Sequence, residues 1–151
     1  MKRPAFEPSL KGRALRLLSQ REHSRLELEQ KLAGHETEPG QLAKALDELQ
    51  ARGFISEERV IASVLHRRAG KLGTARVQQE LAGKGLTGEA VAQAIEALRS
   101  TELARAREVW RRKFGLAATE PKEKARQIRF LLSRGFAAEV VRRVVQGADE
   151  D

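Results

Sequence analysis

The chain has 151 residues, of which 40% are apolar, 33% are charged and 4% are aromatic, and its formal net charge is +8. It contains no cysteine, which excludes disulfides, thiolate zinc sites and a cysteine nucleophile. Neither a membrane-spanning run of about 18 apolar residues nor the apolar segment of a signal peptide is present, so we expect a cytoplasmic protein without membrane contact.

Helical spacing of apolar residues begins after a short arm. The two prolines in residues 1–10 predict that this segment is flexible. Apolar residues then recur at steps of three and four, which predicts a helix near 11–20. A capping box, Ser24-x-x-Glu27, opens a second helix that Gly34 stops. A third helix is expected near 41–52.

Two further sets of three helices follow. The second set starts at Ser56, continues near 74–83 and ends in a helix capped by Thr87. The third set starts at Thr101, resumes at Pro121 and ends in a valine-rich segment. Because valine is β-branched, a strand is locally possible there, but the spacing favours a helix.

The three sets are related by a repeat of about 50 residues, a period typical of tandem supersecondary units. The equivalent apolar positions are Leu32, Leu81 and Leu131; Leu42, Val91 and Val141; and Leu46, Ile95 and Val145. We therefore predict an all-α fold, an elongated tandem array of three three-helix repeats. The predicted boundaries are 1–10 for the arm, 11–55, 56–100 and 101–146 for the repeats, and 147–151 for an acidic tail.

Positive charge is concentrated in the last repeat. Residues 101–146 hold twelve Lys and Arg against five Asp and Glu, whereas residues 1–100 hold seventeen against thirteen. Such a surface suits a polyanion or an acidic protein groove.

No constellation of residues indicates catalysis. His23, His35 and His66 lie far apart and none has metal-ligand spacing with a second histidine. The chain also lacks a phosphate-binding glycine loop. We therefore expect no catalytic residue, no metal and no cofactor, and a protein that is not an enzyme.

Basic clusters in successive helices are the candidate partner-binding site. Each cluster by itself is typical of a solvated helix face with local ion pairs, such as Arg76 with Glu80, but three in succession favour a binding face. The candidates are Arg67, Arg68, Lys71, Arg76, Lys84, Arg112, Lys113, Lys122, Arg126, Arg129 and Arg134. Single-strand platforms need exposed aromatic residues, and we expect Trp110 and Phe114 to be buried. An acidic protein groove, with or without DNA, fits at least as well.

Three stretches in order carry a family signal. They are Ala14–Arg25 with Glu27-Leu28 and Lys31-Leu32; His66–Gly73 with Arg76-Val77, Glu80-Leu81 and Lys84-Gly85; and Arg129–Phe136. Together they resemble the RecX family of recombination regulators over about residues 11–146. One departure is Val60-Ile61, where the family usually has an aromatic and a small residue.

The resemblance implies a tandem array of three-helix repeats and a partner, the RecA recombinase filament on single-stranded DNA. It further implies suppression of RecA's ATP hydrolysis, strand exchange and co-protease activity. Three repeats side by side would reach roughly 60 Å, enough to touch more than one filament subunit. We expect a monomer, because no surplus apolar stripe is visible. The alternative is a helical nucleic-acid-binding protein that acts without RecA.

Overall fold

The computed structural model describes residues 7–147, which form nine α-helices and no β-strand. The helices are α1 (Leu10–Gln20), α2 (Arg25–Leu32), α3 (Gln41–Ala51), α4 (Glu57–Arg68), α5 (Thr74–Gly83), α6 (Glu89–Ser100), α7 (Glu102–Lys113), α8 (Pro121–Ser133) and α9 (Ala138–Gln146). A single 3-10 turn, Ala33–His35, follows α2. The prediction of an all-α fold built from three-helix repeats is confirmed.

The two ends of the chain were predicted to be an arm and an acidic tail. Residues 1–6 of the arm and 148–151 of the tail lie outside the described residues. The helical part begins at Leu10, where the Ser9 hydroxyl accepts the N–H of Gly12 at 2.9 Å. This bond satisfies one of the free amide groups at the start of α1.

The described residues divide into two compact units. The first runs to Val60 and also includes Lys84–Leu86, and the second comprises Ile61–Gly83 and continues from Thr87. Within these units, none of the described helices is long and apolar enough to cross a membrane.

In the first unit, α1, α2 and α3 contact one another around a leucine core. The fully buried members are Ala14, Leu28, Leu46 and Leu49. Burying a leucine side chain contributes about 2 kcal/mol, so this small core depends on each of them.

The predicted capping box of α2 is confirmed. The Ser24 hydroxyl accepts the N–H of Glu27 at 3.1 Å, and the Glu27 carboxylate accepts the N–H of Ser24 at 2.9 Å. This reciprocal pair satisfies two amide groups that the helix itself leaves free. Likewise, Ser56 caps α4 as predicted, since its hydroxyl accepts the N–H of Arg59 at 3.2 Å.

In the second unit, α7, α8 and α9 contact one another around Trp110, Leu131 and Val144. The valine-rich segment is helical, and Val141, Val144 and Val145 are buried at the three- and four-residue spacing of one helix face. The repeat-equivalent leucines Leu81 and Leu131 are both fully buried.

Two local predictions are wrong. Thr87 does not cap α6, because the residue before the helix is Gly88 and it makes no side-chain cap. The helical spacing of apolar residues in α8 predicts that Leu132 faces inward together with Leu131, but its side chain is 43% exposed. It directly follows the buried Leu131, and neighbours in a helix point about 100° apart, so the core accommodates one of the two.

Candidate partner-binding site

Basic residues of the second and third repeats meet in the second unit through two turns. The N–H of Gly73, in the turn between α4 and α5, donates to the carbonyl of Arg134 at 2.8 Å. The Arg76 guanidinium donates to the carbonyl of Ser133 at 2.6 Å. The turn after α4 is therefore fastened to the C-terminal end of α8. The predicted pairing of Arg76 with Glu80 is wrong, because Glu80 accepts from Arg68 instead.

Arg105 in α7 fixes the same turn. The sequence patterns did not predict this role. Its Nη1 donates to the carbonyls of Ala69 at 3.0 Å and Leu72 at 2.7 Å. Three more bonds go to the Thr74 hydroxyl, the Thr101 hydroxyl and the Leu98 carbonyl. Burial lowers the pKa of Arg105 from its ordinary value, and the Glu102 charge acts against that shift. No motif or spacing singles this arginine out among its basic neighbours.

About two helical turns after Arg105, Arg112 also contacts the α4–α5 turn. Its Nη2 donates to the Gly70 carbonyl at 3.2 Å, and its Nε lies 3.5 Å from a Glu108 carboxylate oxygen. Lys71, the next residue of the turn, is exposed. Arg112 of the third repeat thus contacts the turn that carries Lys71 of the second repeat.

A second group, which we call the basic–aromatic cluster, comprises Lys113, Phe114, Arg126, Phe130 and Arg134. The Lys113 ammonium lies 5.1 Å and the Arg134 guanidinium 4.4 Å from the Phe130 ring centroid. The Phe114 ring meets Phe130 edge-on at 5.5 Å, and the Arg126 guanidinium lies 5.2 Å from the Phe114 centroid. Each cation–aromatic contact contributes about 0.5–1 kcal/mol. These contacts order three cationic groups around two half-buried rings.

Beside the basic–aromatic cluster lies a cleft of about 430 Å³ between the end of α7 and the start of α8. Its wall is held by Gln127, which is buried. The Gln127 side chain accepts the indole N–H of Trp110 at 2.9 Å and donates to the carbonyl of Leu116 at 3.2 Å. The Leu116 side chain is 79% exposed at the rim of the cleft. Trp110 is buried as predicted, whereas Phe114 is half-buried.

The predicted basic stripe of α8 is exposed throughout. Lys122, Arg126 and Arg129 all face solvent. Arg126 makes two hydrogen bonds to Glu123, at 3.0 and 3.3 Å, and these bonds lower the pKa of the Glu123 carboxyl. Exposed pairs of this kind are weak, so the charges of Arg126 and Glu123 both remain available to a partner.

The remaining predicted residues, Arg67, Arg68 and Lys84, form ion pairs within the protein. Arg68 donates to Glu80 at 3.0 Å and Arg67 lies 3.7 Å from the same carboxylate. Lys84 lies in the first unit, where it donates to Glu27 at 3.0 Å and only 13% of its side chain is exposed. Lys84 therefore holds Glu27 within the first unit, and its role at an interface stays a prediction.

The histidines occupy structural or exposed positions. Lys31 donates to the Nε2 of the buried His23 at 3.0 Å, and the His23 Nδ1 lies 3.0 Å from the Arg21 carbonyl. Burial lowers the pKa of His23. Within residues 7–147, no three His, Asp or Glu side chains form a group that could hold a metal ion.

Family models match the first and the third of the three-helix repeats. Residues 11–49, which cover most of α1–α3, match the first three-helix domain of RecX, and residues 100–145, which cover nearly all of α7–α9, match the third. Two solved structures share the fold. A crystal structure of RecX from Lactobacillus salivarius has a TM-score of 0.75 at 16% identity, covering 93% of this chain and 94% of that one. A second regulatory protein RecX has a TM-score of 0.71 at 18% identity, covering 91% of this chain and 71% of that one.

Relatives of high sequence identity span nearly the whole chain. The regulatory protein RecX of Leptothrix cholodnii is 55% identical over 143 residues, which is 95% of this chain and 91% of the relative. That of Ralstonia nicotianae is 45% identical over 141 residues, 93% of this chain and 89% of the relative. The matched residues include the α4–α5 turn and the basic–aromatic cluster. On this identity and coverage, the chain belongs to the RecX family of regulatory proteins.

Proposed function

We propose that this protein acts in the cytoplasm, as a monomer, by binding the RecA filament on single-stranded DNA. Binding inhibits the filament's ATPase, strand-exchange and co-protease activities. The single observation that supports this proposal most is the joining of basic groups from two repeats in the second unit. Arg112 of α7 bonds the Gly70 carbonyl in the α4–α5 turn that carries Lys71, and Arg76 of α5 bonds the Ser133 carbonyl at the end of α8, next to Arg134.

The chemistry of this surface suits a structured, negatively charged partner. Guanidinium groups form bidentate bonds with carboxylates and phosphates, and a surface fixed by internal bonds loses little side-chain entropy on binding. Arg76 and Arg112 are each held by a backbone carbonyl. Their remaining N–H groups are thus presented in set positions.

Inhibition follows from binding if the partner's two states bind this surface differently. When several modest contacts lie on one chain, the first contact that forms raises the effective concentration of the remaining groups at the partner. The total affinity therefore exceeds that of any single contact. A ligand that prefers one filament state shifts the population toward that state. ATP turnover requires the filament to change state, and a bound regulator that favours one state slows that cycle.

The test is RecA's ATPase rate on single-stranded DNA with increasing amounts of this protein. We expect the wild-type protein to lower the rate and the double variant Arg126→Glu, Arg129→Glu to need at least about tenfold more protein for the same effect. Arg99→Glu is the matched control for Arg126. Arg99 is 60% exposed and pairs with Glu96 three residues earlier, as the 58% exposed Arg126 pairs with Glu123.

Two results would count against parts of the proposal. Full inhibition by a double variant whose circular dichroism and melting temperature match the wild type would contradict the placement of the interface on α8, because the basic stripe of that helix would then play no part. Binding of single-stranded DNA alone as tightly as binding of the filament, with the ATPase rate unchanged, would contradict the proposed inhibition of RecA. That second result would support the alternative, a nucleic-acid-binding protein that acts without RecA.

A further inference from the structure

A small pocket in the first unit carries positive charge that the proposed function does not use. It lies between α1, α2 and the 3-10 turn and has a volume of about 200 Å³. Its lining residues are Pro8, Arg13, Arg16, Leu17, Lys31, Leu32 and His35. None of them is among the basic residues predicted from the sequence as the partner-binding site.

The positive charge at the rim of this pocket, which Arg13, Arg16 and Lys31 carry, is not balanced by a lining carboxylate. Arg13 and Arg16 lie three residues apart and so share one face of α1. No carboxylate lines the pocket, and within residues 7–147 neither arginine forms an ion pair. By contrast, Arg21 and Arg25 of the same unit both pair with carboxylates. The two guanidinium groups at the rim are therefore available to bind a negatively charged partner.

Lys31 is fixed in place at the same rim. Its ammonium donates to the Nε2 of His23, which is only 1% exposed. Burial lowers the pKa of His23, which keeps the imidazole neutral and able to accept this bond. Since the acceptor carries no negative charge, the bond orients the ammonium without neutralising it. A lysine held by a buried neutral group is better ordered than a free surface lysine.

The floor of the pocket is aliphatic. Leu32 is 3% exposed, and Leu17 packs against the core of the first unit while still lining the pocket. Pro8 closes one side. An aliphatic floor under a cationic rim matches a ligand that has an apolar group beside negative charges.

We propose that this pocket binds an acidic peptide segment of a partner protein, with one leucine-like or phenylalanine-like side chain on the floor and neighbouring carboxylates on Arg13, Arg16 and Lys31. A nucleic acid strand fits less well. No aromatic side chain lines the pocket to stack a base, and phosphodiester groups gain nothing from the leucine floor. The volume holds one side chain rather than a whole nucleotide with its sugar and phosphate.

The test uses the whole protein and a defined probe, without RecA, so its outcome is independent of the proposed function. The probe is a fluorescein-labelled decapeptide with one central leucine flanked by aspartates and glutamates. A matched peptide carries serine in place of leucine, and labelled oligo-dT is the nucleic-acid arm. Binding is followed by fluorescence anisotropy, and amide chemical-shift changes in a ¹⁵N-labelled sample locate the site.

We expect the leucine peptide to bind roughly tenfold more tightly than the serine peptide, because one side chain leaves water. The double variant Arg13→Glu, Arg16→Glu should lower its affinity by at least about tenfold. The matched control, Lys44→Glu with Arg52→Glu, makes the same change in net charge at two exposed residues of the same unit and should retain binding.

Three outcomes would overturn the inference. They are equal binding of the two peptides, no shift of the Arg13, Arg16 or Lys31 amides at about 2 mM peptide, and an oligo-dT affinity that matches the peptide's and falls in the same double variant. The last would make the pocket a phosphate site. Should the arginine variant fail to fold, the comparison of the leucine and serine peptides on the wild-type protein still decides the question.

Discussion

Gly73 and Gly135 lie in backbone contact. A Cβ atom built on Gly73 would fall inside the van der Waals distance of the carbonyl carbon of Gly135, and the N–H of Gly73 donates to the neighbouring Arg134 carbonyl at 2.8 Å. Gly135 has a φ of 94°, a conformation that side chains disfavour. Two turns, one from each of two repeats, therefore meet at a point where no side chain fits.

Replacing Gly73 by alanine should separate these turns. Because the clash is with backbone rather than with a flexible side chain, we expect the free energy of unfolding to fall by about 1–3 kcal/mol in urea titrations. Gly70→Ala is the control in the same turn, since a Cβ there meets nothing within 4 Å. It should be neutral or stabilising by a few tenths of a kcal/mol. Equal stabilities of the two variants would refute the contact.

The helices and several of their ends were predictable because their signals are local. The Ser24–Glu27 capping box joins residues three apart, and both of its bonds form. The valine positions of α9 follow the helix period and are buried. Such patterns need no knowledge of what packs against the helix.

The candidate site was less predictable because its bonds join distant residues. Arg105 reaches the carbonyl of Leu72, 33 positions away, and Arg76 reaches that of Ser133, 57 positions away. Helical side chains four residues apart are neighbours, which predicted a pair between Arg76 and Glu80. The Glu80 carboxylate instead accepts a hydrogen bond from Arg68, which lies on another helix. Exposed pairs along one helix are weak enough for tertiary contacts to override them.

The chain's single tryptophan reports on the third repeat. The indole N–H of Trp110 donates to the buried Gln127 at 2.9 Å. Gln127→Leu leaves that donor without a partner, so we expect a loss of about 1–3 kcal/mol and a change in tryptophan emission in the native state. Gln93→Leu on the exposed face of α6 is the control and should change neither. An unchanged unfolding free energy for Gln127→Leu would show that the bond adds nothing.

Acid should destabilise the first unit through Glu27. Burial acts to raise the pKa of its carboxyl, but hydrogen bonds from Arg21, Ser24 and Lys84 outweigh it and lower the pKa to about 2. A folded-state pKa below the ordinary 4.5 means that the unfolded chain binds the proton more tightly. The stabilisation is therefore complete above pH 4.5 and is lost as the pH falls toward 2.

Glu27→Gln tests this pH dependence. The variant should be less stable at pH 7 by roughly 2–3 kcal/mol, and the difference from wild type should shrink on acidification. Unfolding free energies measured at several pH values give the difference curve directly, and His23 is present in both proteins. Glu96→Gln, at a side chain that is 80% exposed, controls for the removal of one negative charge. A difference that stays constant from pH 7 to pH 3 would contradict the assignment.

Arg105 is expected to hold the α4–α5 turn in a way that lysine cannot reproduce. Its guanidinium makes five hydrogen bonds, two of them to carbonyls of the turn. A lysine has three donors on one atom and cannot span these acceptors, so Arg105→Lys should lower the unfolding free energy by about 2 kcal/mol. Arg111→Lys, at a side chain that is 62% exposed, should stay within about 0.5 kcal/mol of wild type.

Hydrogen exchange distinguishes a local effect of Arg105→Lys from a global one. The amide of Gly73 is bonded to Arg134 and should exchange faster in this variant because the turn opens without unfolding of the helices. Amides in the core of α8 should keep their protection. If Gly73 and α8 lose protection together, Arg105 stabilises the whole unit instead. If neither changes, the five bonds do not position the turn.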